Sequence, residues 1–346
     1  MTTKTISTYV GGGYTLGRRF DTLDITSTGT IGNSGPGAAL TVRHDASVNN
    51  QGLLGADFGY ALYATAPISI VNGSAQHPYA EMIGYSGIYA RDAATTITNQ
   101  AVILGVGQYG DGVRLANGGT VINGASGEAA ALMQGRSGGV VSYGATSVTN
   151  YGTISGLYGT AIFLAAGGDT VINGGLQDRS ARISGAVAGV SVAAGTANIV
   201  NFGTIVARAG AGVNLTGGGA VTNGASGDTA AVLYGHGDGV IAAQSASVVN
   251  FGTLVGGVGG GAYSGIYLRG GGMVTNGSVT DTIALLEGSQ SAVIIGAGAA
   301  TIDNFGTLRS YDSNAVGWTD PNATATAILV NGSAKDKAAL VSGATN

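Results

Sequence analysis

Apolar and polar residues alternate in short bursts along this chain, and the bursts end alike: a branched aliphatic residue, one further residue, then asparagine. The asparagines are Asn50, Asn72, Asn99, Asn123, Asn150, Asn173, Asn201, Asn223, Asn250, Asn276, Asn304 and Asn331, at intervals of 22 to 28 residues. A fixed phase at that period is the mark of a solenoid, in which each interval is one coil that buries its apolar face only against its neighbours. Alternation with a period of two predicts strands with branched side chains inward and small polar ones outward. In the coil from Asn150 the predicted strands are Val148–Asn150, one around Thr153 and Ile154, and Ala161–Leu164. The third strands recur as "GVRLAN", "GVNLTG" and "GIYLRG", alternating with "GVVSYG", "GVIAAQ" and "AVIIGA". Such coils are too long for a hexapeptide left-handed helix. The predicted fold is therefore all-β, a right-handed parallel β-helix, in keeping with the handedness of parallel crossovers.

A second period lies over the first. In one class of coil an aromatic and Gly-Thr-Ile/Leu follow the asparagine, as at Tyr151, Phe202, Phe251 and Phe305; in the other, glycine follows directly, as after Asn123, Asn173, Asn223, Asn276 and Asn331. Within a class the asparagines lie 49 to 55 residues apart, so the repeat is a two-coil unit. The stretch "TLDITSTGTIG" fits as a degenerate first coil with Ser27 in the asparagine place, after a capping segment over residues 1–20. Residues 21–346 then form one domain of about thirteen coils. At a strand spacing of about 4.8 Å that is a rod on the order of 60 Å long, its last coil incomplete.

Composition narrows the alternatives. There are 65 glycines but only 4 prolines and no Gly-X-Y period, which excludes collagen and proline-rich linkers. With 44% hydrophobic and 9% charged residues, a disordered chain is excluded too. Clusters such as 11–13, 217–219 and 270–272 supply the positive-φ glycines that turns between strands need. No window has the length and apolarity of a transmembrane helix. A net charge of −4 without a basic run gives nucleic acid no electrostatic stripe.

Candidate chemistry is sparse. The asparagine column reads as a structural ladder, its amides bonding from coil to coil and tolerating left-handed backbone at a turn. Tyr151, Phe202, Phe251 and Phe305 read as a buried stacking column. Five residues after the asparagine of each glycine-following coil come His77, Glu128, Asp178, Asp228, Asp281 and Asp336. These are expected along one edge, about 9 to 10 Å apart, as turn caps; weak Ca²⁺ binding is the alternative, so no cofactor is expected beyond that. Arg43, His44 and Asp45 are adjacent on a strand and point to opposite faces, so they cannot converge. Arg91, Asp92 and Asp111 stand nearly alone, and with no cysteine and three scattered histidines no catalytic set emerges.

The units "VTNYGTISG" and "VTNGASGDTAAVLYG" resemble the glycine-rich repeats of β-helical surface proteins of Gram-negative bacteria, the autotransporter-passenger and haemagglutinin-like adhesin group. Over residues 21–346 the resemblance implies an extracellular or surface-displayed rod used in adhesion, aggregation or matrix building. Neither a C-terminal membrane barrel nor, in the first twenty residues, a signal peptide is expected. The sequence-based expectation is thus a non-catalytic, adhesive β-solenoid that stacks end to end as a homo-oligomer or filament. Lys4, Arg18 and Arg19 at one end and Lys335, Asp336 and Lys337 at the other would tune the junction. The alternative is a polysaccharide-binding or polysaccharide-degrading β-helix of the tailspike or lyase kind, and a cell-surface polysaccharide is the partner it would imply.

Overall fold

A computed structural model describes residues 2–127, 130–257, 261–319, 325–333 and 338–343, and divides the chain into two units, residues 1–166 and 167–346. Every regular element among the described residues is a strand. In residues 1–166 the first sheet runs Thr3–Ile6, Thr22–Ile25, Ala46–Asn50, Ile68–Asn72, Thr95–Asn99, Gly119–Asn123 and Thr146–Asn150, each parallel to the next. Each coil adds one strand to a second and a third sheet; the coil of Thr146–Asn150 continues with Thr153–Gly156 and Ile162–Leu164. Residues 167–346 repeat the scheme, their first sheet running from Asp169–Asn173 to Thr326–Asn331. The fold is a parallel β-solenoid with three strands per coil.

Stacking in register turns each inward position into a column of like side chains. Val48, Ile70, Ile97, Val121 and Val148 line the first sheet of residues 1–166, Leu54, Met82, Ile103, Met133 and Ile154 the second, and Leu62, Ile88, Val113, Val140 and Ile162 the third, all at 0% exposure. In residues 167–346 the first-sheet column is Val171, Ile199, Val221, Val248, Val274 and Ile302. Each such side chain contributes roughly 1.5–3 kcal/mol by leaving water. Because the strands alternate, the same register places the intervening residue on the outer surface.

The two-coil alternation has a simple cause. After Asn150, Asn201, Asn250 and Asn304 the second-sheet strand begins at once, at Thr153, Thr204, Thr253 and Thr307. After Asn123, Asn173, Asn223 and Asn276 it begins only at Leu132, Arg182, Val232 and Leu285. The residues between fold into a small hairpin, described for Ser74–His77, Gly175–Asp178, Ala225–Asp228 and Ser278–Asp281, whose ends bond reciprocally through their backbones.

The N-terminal expectations are corrected in two places. Thr3–Ile6 pairs with Thr22–Ile25 as an ordinary first-sheet strand, and Tyr9–Val10 and Tyr14–Thr15 join the other sheets, so the first residues form a coil of the solenoid rather than a separate cap. The residue in register with Asn50 is Ile25, not Ser27. Ile25 is buried at 1% exposure, and an apolar side chain occupies the column where the ladder would otherwise continue.

Candidate functional site

The asparagine column is the best-bonded feature of the chain. In residues 1–166 the amide nitrogen of Asn50 donates to the side-chain oxygen of Asn72, Asn72 to Asn99, Asn99 to Asn123 and Asn123 to Asn150, each at 2.8 Å. In residues 167–346 the chain of donors runs from Asn173 through Asn201, Asn223, Asn250, Asn276 and Asn304 to Asn331, at 2.6 to 2.9 Å. The second amide proton serves backbone carbonyls, as from Asn223 to Thr253 at 3.0 Å. No non-glycine residue has positive φ among the described residues, so the asparagines are not the left-handed turn residues expected of them. That conformation belongs to the glycine that follows, with φ of +77° at Gly73, +85° at Gly124 and +83° at Gly224. From Asn50 to Asn304 the side chains are buried and bonded from coil to coil, whereas Asn331 is exposed.

The acidic column is also inward. Asp178, Asp228 and Asp281 are 4%, 4% and 6% exposed, not spread along a solvated edge. Asp281 accepts the Gly227 N–H at 3.2 Å from the hairpin two coils earlier, Arg179 approaches Asp228 at 2.9 Å, and Ser180 donates to Asp178 at 2.9 Å. His77 closes its own hairpin against Ser74. Asp228 and Asp281 thereby tie one hairpin to another, whereas the bonds of Asp178 to Ser180 and of His77 to Ser74 close their own turns. Glu128 and Asp336 lie outside the described residues. Among the described residues, no group of three or more His, Cys, Asp or Glu could hold a metal ion.

The remaining candidates do not assemble. Tyr151, Phe202, Phe251 and Phe305 are half-buried and make no ring pair with one another among the described residues, since an intervening coil separates each from the next. His44 meets the Phe20 carbonyl at 2.9 Å, while Arg43 and Asp45 are exposed. Lys4 is partly buried, Arg18 is exposed, and Arg19 lies 4.7 Å from the Phe20 ring centre. Lys335, Asp336 and Lys337 lie outside the described residues.

What reasoning from the sequence missed is the outer face of the third sheet in residues 1–166. Register places Tyr63 beside Tyr89, Tyr89 beside Arg114, Arg114 beside Val141 and Val141 beside Phe163. Tyr60, Tyr63 and Tyr89 have ring centres 5.2 to 5.7 Å apart. The Arg114 guanidinium lies 5.8 Å from the Tyr89 ring centre and 5.2 Å from that of Tyr143, donates to the Tyr143 hydroxyl at 3.2 Å, and Tyr143 meets Phe163 edge-on at 6.4 Å. The signal was present in Tyr63 of "YALYA", Tyr89 of "SGIYA", Arg114 of "GVRLAN" and Phe163 of "AIFLA", the outward residues of their strands.

Beside this strip is a cleft of about 220 Å³ lined by Asp111, Arg114, Ser137, Gly138, Val141, Tyr143, Gly159, Thr160 and Phe163. Asp111 is held there by its backbone, its N–H bonded to Ser86 Oγ at 3.1 Å and its carbonyl accepting from Gly87 at 3.0 Å. Its carboxylate is 3% exposed, Oδ2 lies 3.6 Å from Arg114, and Oδ1 has no hydrogen-bond partner. Burial pushes the Asp111 carboxyl up to about 6, against the opposing pull of Arg114, the Ser137 hydroxyl and the Gly138 N–H. A carboxyl with a raised folded-state value penalises folding once the unfolded chain has ionised. Stability should therefore fall as pH rises from about 4 to about 6, by roughly 2–3 kcal/mol. Urea unfolding of the natural chain and of Asp111→Asn at both ends of that window checks this: the difference in stability between them must change in the variant's favour on raising pH. Parallel pH profiles would show that Asp111 titrates normally.

Comparison with protein-family models, with curated proteins and with solved structures finds no match to this chain. Its chemistry is therefore read from the face itself: aromatic rings, guanidinium and hydroxyl donors, and one buried carboxylate acceptor.

Proposed function

We propose that this chain is a non-catalytic structural and adhesive β-solenoid of the cell exterior, in which the coils are scaffold and the third-sheet face of residues 60–163 makes the contacts. One observation carries the reading: the inward columns spend their polar groups on holding coils together, whereas rings and guanidinium groups are gathered outward on that face. The resemblance of the repeats to those of surface-displayed β-helical proteins supports the extracellular setting. A hydrolytic role is less favoured, because glycosidic cleavage takes a second carboxyl group across the cleft and Asp111 is the only acid lining this one. Beads coated with the chain should be retained on intact cells under flow, and beads carrying Tyr143→Ser and Phe163→Ser together should wash off. Equal retention of both sinks the assignment of the contact face.

We also propose end-to-end self-association, in which the in-register parallel pairing and the asparagine bonds that join each coil to the next would join coils of two copies, head to tail. Electron microscopy over a concentration series should show particles lengthening at constant width. Single particles of one length at every concentration would overturn it.

A further inference from the structure

We infer that the third-sheet face of residues 60–163 binds an uncharged, extended polysaccharide laid across successive coils, with about one sugar unit per coil. The inference rests on the adhesive reading above and names its ligand class. Four features of the face lead there.

The first is the mixture of groups. Sugar rings present apolar C–H faces and a belt of hydroxyls, and here Tyr89, Tyr143 and Phe163 supply aromatic surface while Arg114 supplies donors between them. A protein partner would ask for a wider apolar core with few polar tips. The second is the charge. Two arginines of the face are neutralised by their own carboxylates, Arg91 by Asp92 at 3.0 Å and Arg114 by Asp111 at 3.6 Å, and the third, Arg136 beside the cleft, lies 4.9 Å from the Tyr158 ring centre. A face whose cations are mostly paired offers little net attraction to an acidic polymer, so an uncharged chain is the complementary one.

The third is the spacing. Coils follow one another at about 4.8 Å, close to the length of one sugar in an extended chain. Tyr63, Tyr89, Arg114 and Phe163 thus present side chains at coil intervals along one column, whose remaining member, Val141, is buried at 7% exposure. The fourth is the cleft. It sets the hydroxyl-bearing Ser137, Tyr143 and Thr160 beside the Phe163 ring, so hydrogen-bonding groups stand next to aromatic surface as a sugar requires.

The test is calorimetric titration of the full chain with cello- and laminari-oligosaccharides of increasing length, and with oligogalacturonates as the acidic comparator. Affinity for at least one neutral series should rise with length and level off at about five units, the number of coils in the strip. Phe163→Ser should weaken that binding at least tenfold with an unchanged melting temperature; should it unfold early, Tyr143→Ser, on the exposed rim, serves in its place. No neutral series binding, or neutral binding untouched by the variants, overturns the inference. Preference for oligogalacturonates that fades with added salt overturns the uncharged assignment. Cell adhesion that survives periodate treatment of the cells would overturn the saccharide while leaving the adhesive reading intact. Loss of the bead adhesion itself would be a failure of the reading beneath it.

Discussion

Replacing Asn223 by alanine should destabilise the chain by about 3–5 kcal/mol, more than any outward substitution on the same strand. The side chain accepts from Asn201 at 2.7 Å and donates to Asn250 at 2.8 Å and to the Thr253 carbonyl at 3.0 Å, at 0% exposure. Alanine leaves a buried donor and two buried acceptors unpaired, and each costs about 1–3 kcal/mol, with partial relaxation setting the sum. The neighbouring Thr222, which points outward, should cost about 0.5 kcal/mol or less when changed to alanine. Urea unfolding supplies the values, and amide exchange in Ala246–Asn250 should quicken in the Asn223 variant alone. A cost below about 1 kcal/mol would mean that water replaces the ladder bonds.

The second large effect is expected at Gly272. Its φ is +134°, and a Cβ there would stand 1.9 Å from the Ala246 carbonyl oxygen of the previous coil. Gly119 and Gly219 occupy the same position in their coils, with φ of +140° and +129° and equally close carbonyls. Neither backbone can retreat without breaking the register that carries the asparagine bonds, so Gly272→Ala should cost more than about 3 kcal/mol. Gly227, at φ +79° in a hairpin with nothing within 4 Å of its Cβ, is the control: alanine there should cost only about 1–2 kcal/mol. Thermal unfolding of the two variants separates conformational preference from collision. Equal losses would show that the coil relaxes around the added methyl.

The solenoid was legible because one residue recurs at constant phase and strands alternate with a period of two. The strands predicted around Asn150 match Thr146–Asn150, Thr153–Gly156 and Ile162–Leu164 closely. The two-coil period was legible as well, but its cause was not, because the hairpin at Ala225–Asp228 bends back on itself and the sequence does not state which way. For that reason Asp228 and Asp281, expected along one edge as turn caps, lie buried, Asp281 accepting the Gly227 N–H of another hairpin. Ser27 was placed by resemblance of its neighbours, whereas register selects Ile25. The aromatic face was illegible for a different reason. Tyr63, Tyr89, Arg114 and Phe163 share a column without sharing a residue type, and only register brings unlike outward side chains into line.

The asparagine bonds all point one way. From Asn50 to Asn150, and again from Asn173 to Asn331, each amide nitrogen donates to the next asparagine oxygen along the sequence. Aligned amide dipoles polarise one another, so each of these chains is a wire with an electron-rich and an electron-poor terminus. A coil set against Asn331 must bring an oxygen to that column, and one inserted in reversed orientation would set amide against amide. Each run of bonds thus carries an arrow in its interior, and any assembly that extends such a column inherits its direction.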